Sequence, residues 1–470
     1  MTQRAWPAWA RVYEIVDLLR LSVPIAISRM SVMLMALTDA IVLGQIDEGE
    51  LPFVLNSWLP IGVALGFGFG LLMGVQVLTS ELLGRNEHRQ TGRIFRRGFI
   101  WSLFLGIFLT GVVYASAQPL FDWIFVAINP NSEISGTLST SEVADEIAKV
   151  TRILALGLSG FMISMVCSFY LEALRRPLLV TWVMYFGVVA NLVIDLALVA
   201  GFWGLPQLGA EGVAWATTGS RWMITILLLG LVVWLTPALQ RSGKGPSDEP
   251  RRQLAVGFGT AVSNVAEWGG FNMTYVIASF ISLGVNAAYG YTVQVMGVCF
   301  MFFVGIGTAT SVRVAEYYGR GDQDGVQRSS RLGIAATFVT GGFLAIILVL
   351  FGPWVARGLV DLEAEIDGLV LAPMIAVLLV YAAVATTFDG LQAVASMALR
   401  AQGVIWLPSI IHVGSFFILM IPATYLLGIS FNRGAVGMME GVGLALVIAG
   451  GLQWWVLERR TARHKGNAPS

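Results

Sequence analysis

The chain has 470 residues, of which 56% are apolar and 12% charged, and its mean hydropathy is +0.75. Soluble chains carry about 25% charged residues, so the bilayer is the solvent here, and a soluble enzyme with one anchor is excluded. Lys and Arg balance Asp and Glu at 29 each, so net charge gives no reason to expect a nucleic-acid partner, and only the placement of charge is informative.

Apolar runs long enough to span occur at about 18–44, 53–79, 98–121, 150–174, 178–201, 212–236, 254–283, 288–314, 332–355, 369–397, 404–427 and 436–457. Each exceeds the roughly 20 residues a helical span needs. Transmembrane strands would alternate apolar and polar residues over about ten positions, whereas Leu344 to Phe351 is continuously apolar. The expected fold is therefore an all-α polytopic membrane protein of twelve helices. Arg4, Arg11 and Arg20 precede the first run, which lacks a small-residue cleavage site, so this start is expected to lead into a spanning helix and not a signal peptide. Cys167 and Cys299 both lie inside apolar runs and offer neither a disulfide framework nor a zinc motif.

The loops fix an orientation. Counting the three N-terminal arginines and Arg459, Arg460, Arg463 and Lys465 at the other end, 23 of the 29 cations fall on one face. By the positive-inside rule that face is cytoplasmic, with both termini on it.

An internal repeat is legible. Glu81-Leu-Leu-Gly84-Arg85, followed by Arg93, Arg96 and Gly98, matches Glu316-Tyr-Tyr-Gly319-Arg320, followed by Arg328, Arg331 and Gly333, at a constant offset of 235. Ala173-Leu174-Arg175 against Ala398-Leu399-Arg400 and Glu211-Gly212-Val213 against Glu440-Gly441-Val442 keep the register with small shifts. Two six-helix lobes follow: 1–236 and 254–457, joined by a cytoplasmic linker at 237–253 and followed by a basic tail at 458–470. Six is even, so the lobes enter the membrane in the same sense, related by a pseudo-two-fold axis along the membrane normal, an arrangement of secondary transporters.

A carboxylate at membrane depth costs at least about 2.5 to 3.5 kcal/mol, so each is a functional candidate. At 1.5 Å per residue, Asp39 in the first run and Asp195 in the fifth both lie roughly 26 to 27 Å from the cytoplasmic face. Asn191 is one turn below Asp195 on the same helical face, and Thr217 of the sixth run falls in the same layer. Two carboxylates, an amide oxygen and a hydroxyl suit a proton shared between like charges or a small hard cation such as sodium. Glu267 in the seventh run and Asp389 in the tenth form a second mid-bilayer acidic pair, roughly 17 to 20 Å deep. The repeat does not reproduce the first pair at its equivalents, since the eleventh run reads Phe417-Ile-Leu-Met-Ile-Pro-Ala-Thr424, so the scaffold does not need these acids.

Plainer readings exist. Intramembrane carboxylates can serve only to pair with an arginine or cap a broken helix, and Asn191 and Thr217 could simply tie helices together. Arg29 and Arg221 could be structural ion pairs, Arg29 otherwise contributing charge to a cavity, and His412 is expected as a packed residue. Glu211 and Glu440 are expected to complement helix N-termini. Glycines at 62, 66, 68, 70 and 74 and at 297, 305 and 307 allow close helix contacts or bending.

Leu21-Ser-Val-Pro24 leading to Thr38-Asp39-Ala-Ile-Val-Leu-Gly44, then Asn191-Leu-Val-Ile-Asp195 leading to Gly209-Ala-Glu-Gly-Val-Ala-Trp-Ala216-Thr217, then Ala266-Glu267, Phe388-Asp389-Gly-Leu-Gln and Leu399-Arg400-Ala-Gln-Gly403 resemble the multidrug and toxic compound extrusion (MATE) family in its NorM-type bacterial branch. The resemblance covers nearly the whole chain. It implies a twelve-helix antiporter that exports organic, often cationic, compounds against inward flow of protons or sodium, with no further cofactor. It also implies a first-lobe cation site at Asp39, Asn191, Asp195 and Thr217 and a second-lobe site at Glu267 and Asp389. The chain departs from the family pattern at Gly259, where a proline is usual, at Val32, where a glutamine is usual, and at Arg29. The expected setting is the bacterial inner membrane, with a monomer acting on small organic substrates. Rival readings are a related flippase for a lipid-linked precursor and an uncoupled channel or scaffold.

Overall fold

A computed structural model describes residues 8–46, 49–128, 139–201, 204, 206–240, 242–360 and 364–466. Arg4, Arg241 and residues 467–470 of the basic tail lie outside the described residues, as do the side chains of Arg11, Arg463 and Lys465. The described chain is almost wholly helical. Its fourteen α-helices are α1 (Ala8–Ile46), α2 (Leu51–Leu72), α3 (Gly74–Gly84), α4 (Thr91–Phe121), α5 (Thr140–Ala173), α6 (Pro177–Leu198), α7 (Gly209–Leu235), α8 (Glu249–Ser279), α9 (Leu283–Arg320), α10 (Gln323–Leu359), α11 (Leu371–Ala401), α12 (Trp406–Val413), α13 (Ile421–Tyr425) and α14 (Gly434–Gly466). A two-residue hairpin, β1 (Glu365–Ile366) and β2 (Leu369–Val370), precedes α11.

These helices make the expected spans. Helices α2 and α3 form one span, and α12 and α13 another, giving eleven that are long and apolar enough to cross a bilayer among the described residues. The twelfth is α8, 31 residues long, whose apolar character is diluted by Thr260, Ser263, Asn264, Glu267, Asn272 and Thr274. Large apolar side chains such as Phe104, Phe108, Trp182, Ile226, Trp234, Leu350 and Trp354 are more than half exposed, which only a lipid surround tolerates.

Local chemistry sets the helix ends. Helix α5 opens on a capping box, where the Glu142 amide donates to Ser139 Oγ at 3.3 Å and the Ser139 amide to Glu142 Oε2 at 2.8 Å. Gly321 ends α9 at φ +74°, a conformation that costs glycine little, and Asp322 then caps α10 through the Gly325 amide at 2.8 Å. Around Pro422 the backbone widens to π-helical turns at Gly414–Met420 and Leu426–Ser430, as proline cannot continue the α-helical ladder.

The helices gather into two compact units. One comprises the chain to Arg29, Ser80–Asn86 and Phe258 onward. In it the start of α1 is held by charge: Arg313, only 1% exposed, pairs with Glu14 and lies 3.2 Å from Asp17, while Arg328 lies 3.8 Å from Glu14. Leu18 and Leu21 close over Ala309 and Val312 beside these pairs. This explains why α1 is already helical before the expected apolar run, from Ala8 among the described residues.

The other unit comprises Met30–Thr79 and Glu87–Gly257. Here Glu249, at the start of α8, pairs with Arg93 at 2.6 Å and Arg97 at 3.0 Å. Arg96 donates to the carbonyls of Ala238 and Gln240 at 2.7 and 2.8 Å. The stretch expected as a linker is thus bound down on α4, and α8 begins inside it.

Candidate functional site

Three helices of the second unit, α1, α6 and α7, meet at Asp39. The residue is 2% exposed on α1 and Thr217 of α7 is 1% exposed, while Asn191 and Asp195, one turn apart on α6, are fully buried. Thr217 Oγ1 donates to Asp39 Oδ2 at 2.8 Å, and the Asp195 and Asn191 side chains reach Asp39 from α6. The structure therefore brings together all four residues expected from depth along their helices. Asp39 Oδ1, both carboxylate oxygens of Asp195 and both polar atoms of the Asn191 amide have no hydrogen-bond partner. Buried polar atoms are normally satisfied, and two adjacent buried carboxylates need a positive charge between them. The cluster has the donor set to hold a proton or a small hard cation.

Arg221 stands one turn beyond Thr217 on α7 and is 6% exposed. Its guanidinium lies 5.2 Å from the Trp58 ring centroid and 5.8 Å from that of Phe161. Such contacts contribute about 0.5 to 2 kcal/mol, less than the several kcal/mol that desolvating a cation costs. The expectation of a structural ion pair is not met: no carboxylate among the described residues lies within 4 Å of it, although Asp39 is near enough to act on it through space. Nη1 has no hydrogen-bond partner.

The second acidic pair sits in the first unit. Asp389 on α11 is buried and Glu267 on α8 half-buried, and the two are near enough to interact through space. Gln392, one turn after Asp389, donates to its Oδ1 at 3.2 Å and also reaches Glu267. His412 on α12 contacts Gln392 Oε1 through Nε2, and the Gln453 amide of α14 lies 3.1 Å from the same nitrogen. An amide oxygen only accepts and an amide NH2 only donates, so His412 Nε2 either donates to Gln392 or accepts from Gln453, according to its tautomer. Arg400 donates to Ser263 Oγ at 2.5 Å and lies near Glu267. His412, expected as a packed residue, is therefore packed and also touches the Gln392 and Gln453 amides through one ring nitrogen. Gln392 could have been found from its spacing to Asp389, three residues on; Gln453 and Ser263 gave no signal.

The remaining candidates are peripheral to both clusters. Arg29 is buried on α1, ten positions before Asp39 in the chain. Glu211 lies in the first turn of α7, as expected, and pairs with Lys149. Glu440 lies beyond the first turn of α14 and pairs with Arg433 at 2.7 Å, so an ion pair takes the place of the expected helix-terminal role.

A bundle of spanning helices with carboxylates buried inside it defines a polytopic membrane protein with polar chemistry at membrane depth. The sequence model of the MatE family matches residues 24–197 and 260–426, and the chain belongs to that family; it is a transporter and not an enzyme. A probable multidrug resistance protein NorM of Caulobacter vibrioides is 31% identical over 93% of this chain and 90% of its own. The multidrug resistance protein NorM of Burkholderia vietnamiensis is 26% identical over 98% and 97%. Among solved structures, an outward-facing multidrug resistance MATE family transporter superposes with a TM-score of 0.84 at 17% identity over 96% of each chain. A MATE crystal structure in the bent conformation superposes with a TM-score of 0.81 at 16% identity over 96% of each chain.

Proposed function

We propose that the protein is a cation-coupled antiporter that exports small organic compounds, in which Asp39 and Asp195 carry the coupling ion with help from Asn191 and Thr217. The observation that carries the reading is the pair of buried aspartates with unpartnered oxygens. A cation there would satisfy them, and its loss when water re-enters would leave two repelling charges that favour a different arrangement of the helices. The relatives' names support organic drugs as cargo. Glu267 and Asp389 form a second cation site. Arg29 pairs with an acid lining the inward path or meets an anionic part of the cargo. The protein works as a monomer in the bacterial inner membrane with both termini in the cytoplasm, supported by the cation asymmetry of its loops.

The test is dye accumulation in inverted membrane vesicles under an imposed pH gradient, and separately under a sodium gradient. Accumulation driven by either identifies the coupling ion. Dye movement unaffected by both gradients would mean an uncoupled channel and sink the antiport reading.

A further inference from the structure

Gln392 is engaged at both ends of its amide. Its Nε2 donates to Asp389 Oδ1 at 3.2 Å and the same side chain hydrogen-bonds Glu267, while its Oε1 meets His412 Nε2. The residue is fully buried, so neither end has bulk water to turn to. Carboxylates accept, so the NH2 end belongs on the two acids and the oxygen end needs a donor. Gln453 touches the same imidazole nitrogen at 3.1 Å, but its own Oε1 has no hydrogen-bond partner among the described residues. A half-turn of the Gln453 amide puts that oxygen on an Nε2 proton and satisfies both glutamines. The same half-turn of Gln392 would aim its oxygen at two carboxylates. His412 Nδ1 lies near the Pro408 carbonyl but has no aligned hydrogen-bond partner, so Nε2 is the nitrogen whose proton is used. The ring stacks on Phe416, with centroids 5.8 Å apart and planes at 20°, which holds its edge toward Gln392.

We propose that His412 is a positioning residue that sets the ion of the second cluster: by holding Gln392 with its NH2 on Asp389 and Glu267, it closes that cluster to sodium and leaves it to a proton. A hard cation needs a shell of oxygens, and here the group that contacts both acids presents N–H hydrogens instead. Arg400, buried beside Glu267, adds a positive charge. Two carboxylates and one guanidinium leave a single negative charge, which one proton neutralises. The inference rests on the transport reading above in that it concerns its second cation site.

Sodium binding to the purified protein tests this, read as the rise in melting midpoint while sodium chloride replaces choline chloride at equal ionic strength. Asp195→Asn is carried throughout to silence the first cluster, and this parent is expected to show no sodium response. His412→Phe keeps the ring against Phe416 but removes the donor, freeing the Gln392 oxygen to turn inward, and should tighten sodium binding about tenfold or more. His412→Gln supplies an NH2 in place of Nε2 and should stay as insensitive as the parent. Gln392→Glu sets oxygens against the acids with His412 intact and should also bind sodium. Glu267→Gln should abolish each response that appears, which places it at the second cluster. Three results overturn the proposal: a response in the parent that Glu267→Gln removes, no response in Gln392→Glu, or a response in Gln392→Glu with none in a folded His412→Phe, since Gln392 would then keep its orientation without the imidazole. These readings involve no transport, so failure of the antiport reading would show in the vesicle assay alone.

Discussion

Gly84 lies against the backbone carbonyl of Glu316, and Gly319, its equivalent 235 positions on in the repeat, lies against the backbone carbonyl of Glu81. The motif seen as a repeat in the sequence is thus a reciprocal contact, in which the ends of α3 and α9 cross with each glycine seated on the other helix. A Cβ at either position would meet main chain, which cannot rotate away as a side chain can. Gly84→Ala and Gly319→Ala should each cost about 1 to 3 kcal/mol, visible as a lowered melting midpoint of the purified protein. Gly342→Ala on α10 has open space around the added methyl and should be neutral or slightly stabilising. Equal melting of all three variants would show that the crossing is not tight.

Much of this was legible before the structure. Spans follow from run length, and the layer shared by Asp39, Asn191, Asp195 and Thr217 follows from helical rise, because a rigid rod converts sequence position into depth. The second cluster was half legible. Its acids stood out against an apolar background, but Gln453 and Ser263 are neutral polar residues of a kind that serves many helix contacts, and nothing local says which one points at His412 or Arg400. The start of α1 was hidden for another reason. Glu14 and Asp17 look like loop charges until Arg313, almost 300 residues away, supplies their partner.

That ion pair makes a second prediction. Arg313→Met keeps the volume but leaves Glu14 and Asp17 without their buried cation, and removing one partner of a buried pair costs about 3 to 5 kcal/mol. The variant should melt markedly lower and be cleaved faster by protease near the N-terminus. A triple variant, Glu14→Gln, Asp17→Asn and Arg313→Met, removes the stranded charges and should regain most of the loss. No recovery in the triple variant would show that packing, not charge, was what Arg313 supplied.

Orientation can be checked directly. Ser247 is exposed in the segment before α8, on the face expected to carry 23 of the 29 cations. Cys167 and Cys299 are buried, so the wild type is an unlabelled control. Ser247→Cys should react with an impermeant maleimide in inverted vesicles and not in intact cells. Labelling from outside intact cells would reverse the assigned topology.

The two acidic clusters can be ranked in one assay. Asp39→Asn keeps the shape of the side chain and can still accept the Thr217 hydroxyl at Oδ1, but it deletes the charge that a coupling ion would neutralise. The same holds for Asp195→Asn, whose carboxylate makes no hydrogen bond that the amide would break. Both variants should fold, insert and bind dye, yet lose at least about tenfold in gradient-driven export, the scale of an ordinary coupling free energy. Glu267→Gln, in the cluster where Gln392 and Arg400 already supply hydrogen bonds and positive charge, should lose less. Melting midpoints near the wild-type value separate lost coupling from lost structure. If Asp39→Asn and Asp195→Asn both export at wild-type rates while Glu267→Gln does not, the coupling ion belongs to Glu267 and Asp389, and the unpartnered oxygens of the first cluster are satisfied by water alone.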